Sequence, residues 1–143
     1  MKFIKSLALT ISLFGFLPVA FASDEVDRCH DLVAAKNDEE AIPFCISAAE
    51  QGNAGAQYQL GLMYHYEKGV PQDYKQAVYW YTKGAEQGNA GAQYHLGLMY
   101  HYEMGVPQDY KQAVYWYTKG AEQGHADSQF YLGSRYQYGE GAP

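Results

Sequence analysis

Residues 52–87 recur almost letter for letter as residues 88–123. The first copy reads GNAGAQYQLGLMYHYEKGVPQDYKQAVYWYTKGAEQ, and the second differs only where Gln59 becomes His95 and Lys68 becomes Met104. A third, more divergent copy starts at Gly124 and stops at Pro143, in mid-unit. A fixed period of 36 residues confines the chain to a stacked array, because such a unit cannot bury its apolar face alone and must pack it on the next. No strand-like alternation of apolar and polar residues follows Ala22, so the units are helical.

Both full units have the same grammar. Residues near 54–67 form a first helix, A, with Ala56, Leu60, Gly61, Met63 and Tyr64 on one stripe. The run Gly69-Val70-Pro71-Gln72-Asp73 breaks it: glycine stops the helix, proline blocks its continuation, and Asp73 caps the next. Residues near 74–87 form helix B, with Ala77, Val78, Trp80, Tyr81 and Ala85 inward and Gly88 at its end. The second unit repeats this with Ala92, Leu96, Gly97, Met99 and Tyr100, then Ala113, Val114, Trp116, Tyr117 and Ala121. Gly61 and Ala77 are read as small so that two helix axes can approach; a glycine inside a helix otherwise costs about 1 kcal/mol.

The N-terminal region differs. Lys2 and Lys5, an apolar stretch from Leu7 to Phe16, and Ala20-Phe21-Ala22 read as a secretory signal peptide over residues 1–22, cleaved near Ala22/Ser23. The chain is then expected to be periplasmic or secreted. Residues 23–51 read as a short helix pair, with Val26, Cys29, Leu32 and Val33 on one stripe and Ala41, Ile42, Cys45, Ala48 and Ala49 on the other. Asp38 is a candidate cap, although Pro43 would sit in the second turn and argues for a later helix start. Cys29 and Cys45 stand eight residues either side of Asn37, which puts them level in an antiparallel hairpin, each about 12 Å from the turn by helix rise. In an oxidising compartment a disulfide is the default. The alternatives are two free buried thiols or a metal pair.

Charge excludes two classes of partner. The chain carries 10 basic and 16 acidic side chains; without Lys2 and Lys5 the balance is 8 against 16, a net −8. Nucleic acid and anionic lipid surfaces both call for a basic footprint. No apolar run after Ala22 is long enough to span a membrane. No nucleophile elbow, S-x-x-K or phosphate-binding glycine loop is present, so no catalytic residues and no cofactor are assigned and the chain is read as a non-enzyme. Of the five histidines, His95 and His101 lie six apart on a helix, on different faces, and no HxxxH pair exists, so no metal site is assigned.

The pattern A-x-Y-x-L-G-x-x-Y, a Gly-Val turn, D-x-x-x-A and W-Y-x-K, carried here by Ala56, Tyr58, Leu60, Gly61, Tyr64, Gly69, Val70, Asp73, Ala77, Trp80, Tyr81 and Lys83, resembles Sel1-like repeats, relatives of the tetratricopeptide repeats. The resemblance covers residues 52–143 and, more weakly, 38–51. It implies an all-α fold, a right-handed superhelical α/α solenoid, with Sel1-like units at 52–87 and 88–123 and a partial unit at 124–143. Two departures stand out: Glu67 and Glu103 replace a customary glycine that only the last unit keeps, at Gly139, and Gly84 and Gly120 stand where alanine is commoner. The first leaves the end of helix A open, and the second is expected to loosen helix B.

The resemblance also implies an adaptor role with helix A on the concave side. The stripe beside the core positions is Tyr58, Leu62, His65 and Tyr66, copied as Tyr94, Leu98, His101 and Tyr102 and altered in the third unit to Phe130, Ser134, Gln137 and Tyr138; Gln59 and His95 border it. Aromatic rings with polar tips suit a protein or peptide partner, or a glycan. Tyr58 and Tyr94 have a competing explanation, packing on the preceding helix B. His65, Tyr66, His101 and Tyr102 read as surplus to the core. A cell-wall enzyme such as a β-lactam hydrolase and a truncated, non-functional remnant are the other readings. Oligomeric state is not legible.

Overall fold

The computed structural model describes residues 19–139, with side chains from Ser23 onward. The signal peptide expected at 1–22 lies outside these residues except for its last four, which open the first helix. Seven helices follow one another: α1 (Val19–Ala34), α2 (Asp38–Glu50), α3 (Ala54–His65), α4 (Tyr74–Glu86), α5 (Ala90–His101), α6 (Tyr110–Glu122) and α7 (Ala126–Tyr138). Among the described residues there is no strand. Each helix packs on its neighbours in chain order, and α3 also reaches α1 and α5, so the A-type helices α1, α3 and α5 meet across repeats.

Side-chain caps begin the helices of the array. Asn53 and Asn89 accept the backbone N–H of Ala56 and Ala92 at 2.8 Å, and Asp73 and Asp109 accept those of Gln76 and Gln112 at 3.1 Å. In the third unit His125 takes the asparagine's place, its Nδ1 accepting from Ser128 N at 3.3 Å. The first pair departs from expectation. Helix α2 starts at Asp38 despite Pro43, and Asn37 rather than Asp38 is the cap residue. Pro43 is tolerated because it and Glu39, whose carbonyl it leaves without an intrahelical donor, lie on the exposed side of the helix.

Cys29 and Cys45 are joined as a disulfide, with Cα atoms 4.8 Å apart and both side chains buried. They form one core with Ala41, Ala48, Ala49, Ala56, Leu60, Met63 and Trp80, so the bridge locks α1 to α2 and the bridged hairpin packs directly on the first repeat. Closing a loop of this size is worth about 3 kcal/mol in the chain-entropy model.

Glycines set how closely the elements approach. Gly61 is small because of a ring rather than a helix axis: a Cβ there would lie 2.5 Å from Tyr81 Cδ1, and one at Gly97 would lie 2.6 Å from Tyr117 Cε1. Gly84 and Gly120 tighten the stack rather than loosen it. A Cβ on Gly84 would come within 3.1 Å of Ala92 Cβ on the next A helix, and one on Gly120 within 2.4 Å of Ser128 Oγ. Gly69 and Gly105 combine positive φ with a turn pressed onto the backbone at the start of the preceding B-type helix, at Asp38 of α2 and Tyr74 of α4 respectively.

Helix A ends two residues earlier than expected, at His65 and His101. The chain then enters the left-handed region at Glu67 (φ 55°) and Glu103 (φ 57°), which lets the N–H of Lys68 and Met104 return to the carbonyls of Met63 and Met99 at 2.9 Å. Gly139, the equivalent residue of the third unit, has φ 70°. All three copies therefore need the same backbone, and only the third uses the residue that adopts it freely. A left-handed L-residue costs about 1–2 kcal/mol, partly offset by the larger chain entropy that glycine loses on folding. Glu67→Gly and Glu103→Gly are each expected to raise unfolding free energy by up to about 1 kcal/mol, measured by urea denaturation; unchanged or lower stability would contradict this reading of the turn.

Candidate binding surface

The surface grows from the B helix. The Tyr81 ring lies flat on Gly61, fully buried, and its hydroxyl is hydrogen-bonded to His65 Nδ1 at 3.1 Å. His65 in turn stacks on Tyr66, ring centroids 4.2 Å apart and planes within 3°. The second unit repeats the chain of contacts from Tyr117 through His101 to Tyr102, at 3.4 Å and 4.1 Å. His65 and His101 are therefore core residues, 7% and 6% exposed, and not surplus to it. Tyr66 and Tyr102 are half exposed, at 51% and 53%, each lying on an immobilised imidazole.

Position 59 of the unit sits at the junction between repeats. His95 extends from α5 back onto the first unit, with its ring 5.2 Å from Tyr81, 5.5 Å from Tyr58, 6.1 Å from His65 and 6.4 Å from Tyr66. Tyr131 does the same from α7, 5.5 Å from Tyr117 and 6.3 Å from His101. Gln59 faces a different setting: with Val26, Cys29, Ala56 and Tyr58 it lines an open groove of about 250 Å³ between α1 and α3. Tyr58 does pack internally, but forward rather than backward. Its ring lies 6.2 Å from Tyr81 and would meet a Cβ on Gly91 of the next A helix at 2.7 Å. Tyr94 similarly lies between Tyr117, His125 and Tyr131. Leu62 and Leu98 are half-buried, and Tyr138, at 70% exposure, continues the row of Tyr66 and Tyr102.

Two sets of glutamines matter to the stack and escaped the sequence reading. Gln57 is buried; its Nε2 donates to Ala49 O at 3.0 Å and its Oε1 accepts from Gln87 Nε2 at 2.6 Å. Gln87 also donates to Gly52 O at 2.9 Å. Gln93 and Gln123 repeat the arrangement, and Gln129 donates to Ala121 O at 3.3 Å. These bonds add a side-chain donor to carbonyls at the C-terminal ends of successive B helices, where Ala49, Ala85 and Ala121 also accept the N–H of Gly52, Gly88 and Gly124. The signal was present: the third unit changes Ala92 to Ser128 and Tyr94 to Phe130 but keeps the glutamine between them.

Burial governs protonation here. Desolvation holds the His65 imidazole down at about 4, assisted by the neighbouring His95, and lowers His95 and His101 as well. Burial pushes the hydroxyls of Tyr58, Tyr81 and Tyr117 upward. At neutral pH the surface is thus an uncharged lattice of rings and hydroxyls. The Cys29 thiol is consumed by the disulfide and offers no nucleophile. Among the described residues no group of three His, Cys, Asp or Glu side chains is arranged to hold a metal ion.

The Sel1 repeat family matches four stretches of the chain, residues 33–53, 54–89, 90–125 and 126–143. The chain is a Sel1 repeat protein. The first of these stretches brings α2, with Cys45 of the disulfide, into the repeat pattern. Two solved structures share the solenoid. A Sel1 repeat protein from Oxalobacter formigenes is 37% identical, with a TM-score of 0.76 over 80% of this chain and 47% of its own. The protein c5321, a protective antigen present in uropathogenic Escherichia coli strains displaying an SLR fold, is 34% identical, with a TM-score of 0.74 over 89% of this chain and 30% of its own. This Sel1 repeat protein thus spans less than half the length of either relative. No curated protein matches it.

The depressed histidines make a signed pH prediction. An unfolded imidazole titrates near 6.5 and folded His65 near 4, so between these values the unfolded chain binds more protons. The stability contributed by neutral His65 is fully present above about pH 6.5 and is lost as pH falls toward 4, up to about 3 kcal/mol. His95 and His101 add loss of the same sign. Urea denaturation across this range is expected to show stability falling with acidity, with a shallower slope in His65→Gln; a flat profile would contradict the buried, neutral assignment.

Proposed function

We propose that this Sel1 repeat protein is an exported adaptor that binds an extended segment of a partner protein along its A-helix face. The observation that carries the reading is the row of exposed rings Tyr66, Tyr102 and Tyr138, one per repeat, two of them lying on buried histidines. A ring held in place loses little conformational entropy on binding while presenting apolar area and a hydroxyl, which is what recurs at the energetic centres of interfaces. Leu62 and Leu98 supply half-buried apolar floor beside the row. The contact residues proposed are Tyr58, Leu62, Tyr66, Tyr94, Leu98, Tyr102 and Tyr138, with His65, His95 and His101 acting from beneath as supports that fix the rings. Export is supported by the basic-then-apolar N-terminal segment and by the disulfide, which persists in oxidising compartments.

The test is capture of partners by the purified chain, followed by affinity measurement with Tyr66→Ala/Tyr102→Ala. Both rings are half exposed, so the double variant is expected to keep its melting temperature and lose about tenfold or more in affinity. Undiminished binding by a folded double variant would remove the A-helix face from the function.

A further inference from the structure

Four tyrosines of the two complete repeats are half exposed, and the chain treats them in two ways. On the B helices, Tyr79 and Tyr115 each lie under a lysine of their own helix, with Lys83 Nζ 5.1 Å and Lys119 Nζ 5.6 Å from the ring centroid. On the A side, no lysine or arginine among the described residues lies over Tyr66 or Tyr102. Each of these rings has a histidine stacked on one face, and burial keeps that histidine neutral, so the ring retains its attraction for a cation. An exposed carboxylate follows each ring directly in the chain, Glu67 or Glu103, held in the left-handed region at φ 55° and 57°. Neither forms an ion pair among the described residues, although Lys68 is the next residue after Glu67. Gly139 makes the same turn without a carboxylate. Both complete repeats nonetheless place one there, in a conformation that an L-residue adopts at a cost.

We infer that the A-helix face selects a partner segment bearing arginine or lysine side chains, each lying over Tyr66 or Tyr102 and pairing with Glu67 or Glu103. The inference rests on the adaptor reading and names the chemistry of the segment. Lys83 over Tyr79 and Lys119 over Tyr115 are the precedents for the cation on the ring. Charge is complementary, since the chain has 16 acidic side chains against 10 basic ones. Spacing follows from the stack. Helices α3 and α5 meet across repeats. Packed helix axes lie about 8–10 Å apart, a span that an extended chain covers in about three residues. Two basic residues three apart in such a segment therefore meet successive repeats.

The probe is a fluorescein-labelled Gly/Ser peptide with two arginines three residues apart, titrated into the full chain and followed by anisotropy beside the same peptide with glutamines. The arginine peptide is expected to bind saturably, and the glutamine peptide about tenfold more weakly or not at all. Glu67→Asn/Glu103→Asn removes both charges with a residue that tolerates the left-handed turn. Its thermal melt is expected to match the parent's and its affinity to fall about three- to tenfold. Glu67→Asp/Glu103→Asp keeps the charges and is expected to bind more tightly than the asparagine variant. Glu39→Gln/Glu40→Gln removes two exposed carboxylates from α2 and is expected to leave the affinity unchanged. No saturable binding of the arginine peptide, or equal losses from the asparagine variant and from Glu39→Gln/Glu40→Gln, would overturn the inference. A captured partner that weakens with Tyr66→Ala/Tyr102→Ala but not with Glu67→Asn/Glu103→Asn would overturn it alone and leave the adaptor reading standing. Indifference to both variants would remove that reading as well.

Discussion

A tyrosine ring laid on a glycine organises this molecule. Tyr81 on Gly61 and Tyr117 on Gly97 bring helix B to within ring thickness of helix A, where any side chain would keep them apart. The consequences run outward from that contact. The ring's hydroxyl reaches His65 or His101, the imidazole gives up its charge to stay buried, and the neutral imidazole becomes a flat bed for Tyr66 or Tyr102. The next repeat then closes over the same ring with His95 or Tyr131. Core packing, inter-repeat contact and exposed surface are successive layers of one aromatic arrangement.

Much of this was legible in the duplication itself. The 36-residue period, the Gly-Val-Pro punctuation and the capping aspartates are enough to place the helices from α3 to α6, and the even spacing of Cys29 and Cys45 about Asn37 made their disulfide the default while leaving free thiols and a metal pair open. What could not be read was which of several aromatic residues points inward. Fifteen tyrosines in similar local contexts carry no one-dimensional sign of burial, and histidine is ambiguous by nature, polar enough to face solvent and flat enough to fill a core. His65 and His101 therefore looked like surface residues, whereas a single buried hydroxyl opposite each makes them interior ones. The glycines misled for a related reason: Gly61 read as a close approach of two helix axes, and Gly84 and Gly120 as loosening helix B, until the partner that occupies the missing Cβ is known.

Near-identity of the two copies sharpens what the differences mean. Lys68 and Met104 lie in the turn after helix A, where Lys68 is exposed and Met104 is partly buried against the core of its repeat. Gln59 and His95 are different in kind, because that position meets whatever precedes the repeat. His95 meets the aromatic layer of the first repeat, and Gln59 meets the disulfide-bonded hairpin, which has no such layer and leaves a groove. The substitution follows the neighbour. A Sel1 array can in this way vary its inner surface at the junction position while leaving the glycine–tyrosine contact, the glutamine bonds and the caps unchanged.

The most direct test of the glycine–tyrosine contact compares one substitution at two equivalent positions of the same Leu-Gly motif. Gly61 lies under a ring, whereas among the described residues nothing lies within 4 Å of a Cβ built at Gly133. Alanine at Gly61 must displace Tyr81 and is expected to cost about 1–3 kcal/mol of unfolding free energy, whereas alanine at Gly133 is expected to add up to about 1 kcal/mol through helix propensity. Opposite signs in urea denaturation would establish the contact as the organising one; equal effects at the two positions would contradict it.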